Sequence, residues 1–202
     1  ILHYAQIAAE EGAELFSVGS ELGSMEVDEA RWRALIAKVR AVFQGQLTYS
    51  ANWDHFTQVP FWDALDLVGI NAYFPITRDN DASEASLTSA WQGNRLLLRF
   101  WLGWQGKRLV FTEMGYPSVE GGAVRPYHYA GETALDLEEQ RRAYAAFISA
   151  WRGDSLLEGV FVWRWSRDGG GPQDKGYMPK GKPAGALLKA WFAEPATRVN
   201  GG

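Results

Sequence analysis

RLVFTEMGY, residues 108–116, is a short apolar run that stops abruptly at a carboxylate and a glycine. Its first five residues, 108–112, have the β-branched and aromatic content of a buried strand. At a period of two, Leu109, Phe111 and Glu113 share one face, so the strand aims Glu113 outward from its C-terminal end. The same construction recurs upstream. ELFSVG (14–19) reads as a strand that runs into Ser20-Glu21, with Ser17, Gly19 and Glu21 on one face. QLTYSA (46–51) runs into Asn52-Trp53, LVGINAY (67–73) ends in Asn71-Ala72-Tyr73, and GVFVWRW (159–165) ends in Trp163-Arg164-Trp165. All five predicted strands finish in polar or aromatic side chains.

Helical spacing fills the intervals. The chain opens on a helix that Gly12 closes. Residues 28–43 form a second, with Asp28 as its N-cap and Ala30, Trp32, Leu35, Ile36, Val39 and Phe43 approximating one face. A short helix is predicted over 61–65 and longer ones over 86–105 and 137–151. A last helix over 184–192 stops before Pro195. Strands alternating with helices, several of them continuously apolar, predict a parallel sheet covered by helices. Topology alone leaves a doubly wound sheet and a (β/α)8 barrel about even. No GxGxxG or GxxxxGK[ST] loop follows a strand, and functional groups at the C-terminal strand ends are the habit of the barrel. Five units at about 40 residues each fall short of eight, so the fold class is α/β, a partial (β/α)8 barrel. It is expected over 1–195 with a flexible tail over 196–202, and the opening in mid-helix suggests a fragment.

Composition removes other classes. The 202 residues contain no Cys, which excludes a thiol nucleophile and a Cys-based metal site. A net charge of −4 offers no electrostatic footprint for nucleic acid. No run is long and apolar enough to span a membrane. His3, His55 and His128 lack metal-ligand spacing, and Asp54-His55 has no GxSxG partner, so no metal is expected. Ten Trp, about 5% of the chain, exceed what core packing ordinarily takes. Trp32, Trp91, Trp101, Trp151 and Trp191 fall on helices and are expected to pack against the sheet. Tyr127, His128 and Tyr129 lie in a long loop that either lines outer binding positions or is solvated. Lys180 and Lys182, in a Gly/Pro-rich turn, are expected to be solvated. Two carboxylates facing one cleft are what glycoside hydrolysis requires, one protonated and one ionised.

VGSELGS (18–24), SANWD (50–54), LDLVGINAYFPIT (65–77), FTEMGYPS (111–118) and GYMPKGKPA (176–184), in that order, resemble glycoside hydrolase family 113. Its members are TIM-barrel β-mannanases with catalytic Glu on the fourth and seventh strands. The resemblance implies that the chain runs from the third helix to the eighth of that barrel, with strands 1 to 3 absent. It makes Glu21 the acid/base and Glu113 the nucleophile of a retaining double displacement on β-1,4-mannan or a related β-linked polysaccharide, with no cofactor. Tyr73 matches the tyrosine that hydrogen-bonds the nucleophile, and Trp163 the sugar platform at the cleavage point, with Trp165 as the competing choice. Asn52, Trp53 and Asn71 complete the implied substrate-binding set. Ser20 departs from the pattern, since the larger clan places Asn before the acid/base. The alternatives are another clan activity, such as a β-glucanase or β-mannosidase, and a carbohydrate-binding remnant without turnover. Neither compartment nor oligomeric state follows from the sequence.

Overall fold

The computed structural model describes residues 1–195, so the expected tail over 196–202 lies outside the described residues. In chain order the elements are α1 (Leu2–Glu10), β1 (Leu15–Ser20), α2 (Gly23–Glu26), α3 (Glu29–Arg40), β2 (Gln46–Asn52), β3 (Leu67–Asn71), α4 (Glu84–Gln105), β4 (Arg108–Met114), α5 (Leu137–Trp151), β5 (Leu157–Val162) and α6 (Pro183–Phe192). Sequence order is also spatial order in the five-stranded sheet, from β1 at one edge to β5 at the other. The β1–β2 and β2–β3 pairs are parallel. At the far edge, the Leu109 amide donates to the Leu156 carbonyl and the Trp163 amide to the Met114 carbonyl, an ascending and therefore parallel register.

Local chemistry explains the helix ends. Asp28 and Asp136 each cap a helix by accepting a backbone N–H three residues on, from Arg31 at 3.2 Å and Glu139 at 2.8 Å. Gly12 closes α1 with φ +69°, while the Gly12 amide donates to Ala9 and the Ala13 amide to Ala8. Residues 61–65, expected as a short helix, instead belong to a segment with two 3-10 turns, Phe56–Gln58 and Trp62–Ala64. Pro60, between the two turns, has no N–H to donate to the Phe56 carbonyl, so one α-helical ladder cannot run through both.

The backbone divides into two compact units. The first comprises Ile1–Ala72, Trp101–Thr112 and Leu156–Val160 and holds most of the sheet. Every residue of β3 is buried, as expected of a parallel strand covered on both faces. Trp32 from α3 stacks on Phe61 with ring centroids 5.0 Å apart and meets the edge of Tyr49 at 5.1 Å. Gly69 lets β2 and β3 approach, since a Cβ there would lie 2.4 Å from the Tyr49 carbonyl oxygen and 2.6 Å from Thr48 Oγ1. Gly69→Ala is therefore expected to cost about 3 kcal/mol, the upper range for overpacking, because backbone cannot step aside as a side-chain tip can. A urea midpoint unchanged by the substitution would contradict this.

The second unit comprises Tyr73–Phe100, Glu113–Ser155 and the chain from Phe161. Its core gathers Trp91, Phe147, Tyr116 and Tyr144, with Trp91 edge-on to Phe147 at 5.1 Å and Tyr116 edge-on to Tyr144 at 5.5 Å. The Trp91 indole donates to the Tyr116 hydroxyl at 2.7 Å. Of the five helix tryptophans, Trp32, Trp91 and Trp151 are buried, and Trp101 and Trp191 are half-buried.

Two features depart from simple strand alternation. Leu15, Phe16 and Ser17 pair with Gln46, Leu47 and Thr48, yet Ser20 pairs with Ser50, so β1 carries one extra residue between Ser17 and Ser20. This bulge breaks the shared face expected for Ser17, Gly19 and Glu21. At the other edge, β5 ends at Val162, so neither Trp163 nor Trp165 lies in a strand, and their common parity does not rank them.

Candidate active site

In the first unit the polar ends of β1, β2 and β3 build a network around Glu21. The chain turns sharply there: Glu21 has φ +52°, the one positive φ outside glycine among the described residues. Its amide donates to the Ser50 carbonyl at 2.9 Å. Gly19, just before it, lies where a Cβ would be 2.8 Å from the Trp32 ring. The Glu21 carboxylate Oε1 accepts from the Asn71 amide at 2.9 Å, and Thr112 Oγ1 in turn donates to Asn71 Oδ1 at 2.7 Å. Thr112 thereby fixes which end of the amide faces Glu21. Asn71, expected among the substrate contacts, is fully buried with its side chain committed to Glu21, Ser20 and Thr112, so it meets a candidate catalytic group rather than open cleft. Ser20 is exposed, and Asn52 and Trp53 are half-buried at the end of β2, where Asn52 Oδ1 accepts from the Trp53 amide. His55 pairs with Asp54 at 2.7 Å on the surface, and that hydrogen bond holds the imidazole above its usual range.

The second unit holds the other carboxylate. The Tyr73 hydroxyl donates to Glu113 Oε2 at 2.7 Å, and Glu113 is half-buried. Tyr73 stands edge-on to Tyr177 at 6.0 Å, and Tyr129, 75% exposed, also stands edge-on to Tyr177 at 5.7 Å. The Tyr177 hydroxyl donates to the Pro126 carbonyl at 2.5 Å, which ties the loop carrying Tyr127, His128 and Tyr129 to the segment after β5. Burial, then the neighbouring Tyr129 and Glu113, push the Tyr177 phenol up. Gly115 meets the Trp163 backbone so closely that a Cβ would lie 2.1 Å from its carbonyl oxygen. Trp163 is half-buried and followed by a cis peptide bond, while Trp165 is 63% exposed.

Lys182 corrects an expectation. Its side chain is fully buried, and its ammonium uses three donors on Ser118 Oγ at 2.7 Å, the Gly176 carbonyl at 2.9 Å and Asp174 Oδ1 at 3.1 Å. Nothing in a Gly/Pro-rich turn announces this, because Ser118 lies 64 positions away. Lys180 does stay on the surface. Burial lowers the Lys182 pKa by more than Asp174 restores, since Lys182 is fully enclosed and Asp174 only partly. Burial alone would raise Asp174, but Lys182 and the amides of Gly170 and Gly176 outweigh it and leave its carboxyl below the usual range. A carboxyl with a depressed folded pKa contributes stability that is complete above its unfolded value, about 4, and lost as pH falls through the folded one. Asp174→Asn should therefore lower the urea midpoint at pH 7, with the gap to the parent protein closing below pH 4. A gap independent of pH would contradict the assignment.

Among the described residues no group of three or more His, Asp or Glu is placed to hold a metal, and no helix is long and apolar enough to cross a membrane.

Comparison with known proteins gives these carboxylates a context. The chain is similar to the family 113 β-mannanase of Alicyclobacillus acidocaldarius, solved in complex with ManMIm. Identity is 33% and the TM-score 0.82, over 95% of this chain and 59% of that one. A family 113 β-1,4-mannanase solved as a complex matches at 29% identity and TM-score 0.84, over 96% of this chain and 60% of that one. A β-glucuronidase of Faecalibacterium prausnitzii, at 20% identity and TM-score 0.63, shares the fold alone. No curated protein sequence matches. The chain spans about three-fifths of the mannanases it resembles, and its parallel sheet with alternating helices is the corresponding part of their (β/α)8 barrel. The sequence model of glycoside hydrolase family 113 matches residues 1–182, and the chain belongs to that family.

Proposed function

We propose that the protein is a retaining glycoside hydrolase acting on β-1,4-mannan or a closely related β-linked polysaccharide. The observation that carries this reading is family membership across nearly the whole chain, together with the β-mannanases among its structural relatives. Glu113 is the nucleophile. Its carboxylate attacks the anomeric carbon while the Glu21 carboxyl gives its proton to the glycosidic oxygen and the C–O bond breaks. Glu21, now ionised, takes a proton from water as that water displaces Glu113 and frees the sugar. Two features of the chain support these roles. The Tyr73 hydroxyl on Glu113 Oε2 fixes the rotation of the carboxylate about its last bond. The buried Asn71, itself fixed by Thr112, holds Glu21 by one oxygen. Trp163 is the sugar platform nearest the cleavage point, with Trp165, Trp53, Asn52 and Ser20 as further substrate contacts.

The test is release of reducing ends from β-1,4-mannan, measured beside a β-1,4-glucan, with the product sizes resolved. Faster release from mannan is expected. Binding to mannan with no release by the intact protein would overturn the hydrolase reading.

A further inference from the structure

A left-handed backbone is unfavourable for a residue with a long side chain, so Glu21, at φ +52°, must be held in it. Part of the hold comes from the next peptide. The Leu22 amide donates to the Tyr49 hydroxyl at 2.8 Å. A phenol has one proton, and Tyr49 commits it to Glu26 Oε1 at 2.6 Å. With the proton drawn to Glu26, the hydroxyl turns a lone pair toward Leu22, and it has no room to do otherwise. Tyr49 is fully buried, with Trp32 and Phe61 against its ring. Glu26 is nearly as deep, 5% exposed, on the short α2. That turn is pinned in its own right, since the Trp32 indole donates to the Met25 carbonyl at 2.9 Å. Burial, then Glu26, push the Tyr49 phenol well above its usual range, so the donor proton stays in place. A buried carboxylate has a desolvation cost, and the proposed hydrolysis does not use this one.

We propose that Tyr49 and Glu26 are positioning residues for Glu21: the hydroxyl–carboxylate pair holds the Leu22 amide, and through it the left-handed turn that aims the Glu21 carboxyl at the leaving-group oxygen. The inference rests on Glu21 being the acid/base. It assigns a purpose to three features that are otherwise unconnected: a buried Glu, a phenol accepting from backbone, and a strained turn.

The experiment compares kcat/KM on two substrates of the same β-1,4-linked manno-oligosaccharide. One carries a 2,4-dinitrophenyl leaving group, which departs without protonation; the other carries a sugar in that place, which does not. Tyr49→Phe is expected to lower kcat/KM on the sugar-leaving substrate by about 10- to 100-fold, the scale of a misplaced catalytic group. The dinitrophenyl substrate should change by less than about threefold, because its first step needs no acid. Glu26→Met should reproduce this pattern. Glu26→Gln, whose amide oxygen still accepts the phenol proton, should stay within about threefold of the parent on both substrates. Equal losses on the two substrates, or none on either, would overturn the positioning role. If Tyr49→Phe does not fold, the contrast between Glu26→Met and Glu26→Gln decides alone. Glu21→Gln is measured alongside: if it does not discriminate between the substrates, the acid/base assignment falls first and this inference with it.

Discussion

Replacing Glu113 with alanine is expected to lower kcat on β-1,4-mannan by roughly a thousandfold or more, the scale seen when a nucleophile is removed from a site that otherwise stays assembled. Glu21→Ala should lose as much on the polymer. The two losses then separate under chemical rescue. Added azide fits the space left by either carboxylate, but it attacks a different species in each variant. In Glu113→Ala it takes the place of the nucleophile and gives the glycosyl azide of inverted configuration. In Glu21→Ala, given a substrate with a good leaving group, it attacks the covalent intermediate on Glu113 and gives the azide of retained configuration. The anomers, read by NMR, therefore assign the two roles independently of rate. Exchanged anomers would reverse the assignment. A first product of inverted configuration from the unmodified protein would overturn double displacement itself.

The candidates for this chemistry were legible because each ends an apolar strand, and a strand stops where the polar mouth of the sheet begins. The 137–151 helix was legible from its own pattern, since Ala143, Tyr144, Phe147, Ile148 and Trp151 recur at helical spacing. The delivery of Glu21 was not. Simple alternation places it on a face with Ser17 and Gly19, whereas the extra residue in β1 and the left-handed turn set its direction. A glutamate at φ +52° has no sequence signature, because its intrinsic preference is against that conformation and only partners distant in sequence hold it there. Those partners, Tyr49 and Asn71, come from β2 and β3 and read as ordinary strand residues. The end of β5 was missed in the opposite sense. Aromatic residues continue through Trp165, and the Trp163 amide still donates to Met114 one residue past the strand, so composition outruns the pairing. Strand ends are thus marked by chemistry, but the last two residues of aim come from contacts between strands.

The second large effect is on stability. Arg95 and Arg99, one turn apart on α4, both grip Asp154, whose side chain is fully buried while theirs are 35% and 39% exposed. The asymmetry decides which change is worse. Asp154→Asn keeps the shape and leaves two guanidinium groups that can turn to water, so about 1–2 kcal/mol is expected. Changing both arginines to methionine keeps the apolar stems but leaves the buried carboxylate without either cation, and about 3–5 kcal/mol is expected. Either arginine alone should cost much less than half of the double change, because the other still reaches a carboxylate oxygen; the pair is therefore non-additive. The pH dependence follows from the same burial. Without its cations the Asp154 carboxyl rises above its unfolded pKa, so the folded state takes up a proton first as pH falls. The deficit of the double variant should be greatest at pH 7 and shrink toward pH 4, whereas that of Asp154→Asn should not grow over the same range. Urea midpoints of the parent, Asp154→Asn, the two single arginine changes and the double change, five proteins at the two pH values, carry the whole test. Equal costs for Asp154→Asn and the double arginine change would show that the three groups contribute as surface charges, and that the burial of Asp154 does not set their energy.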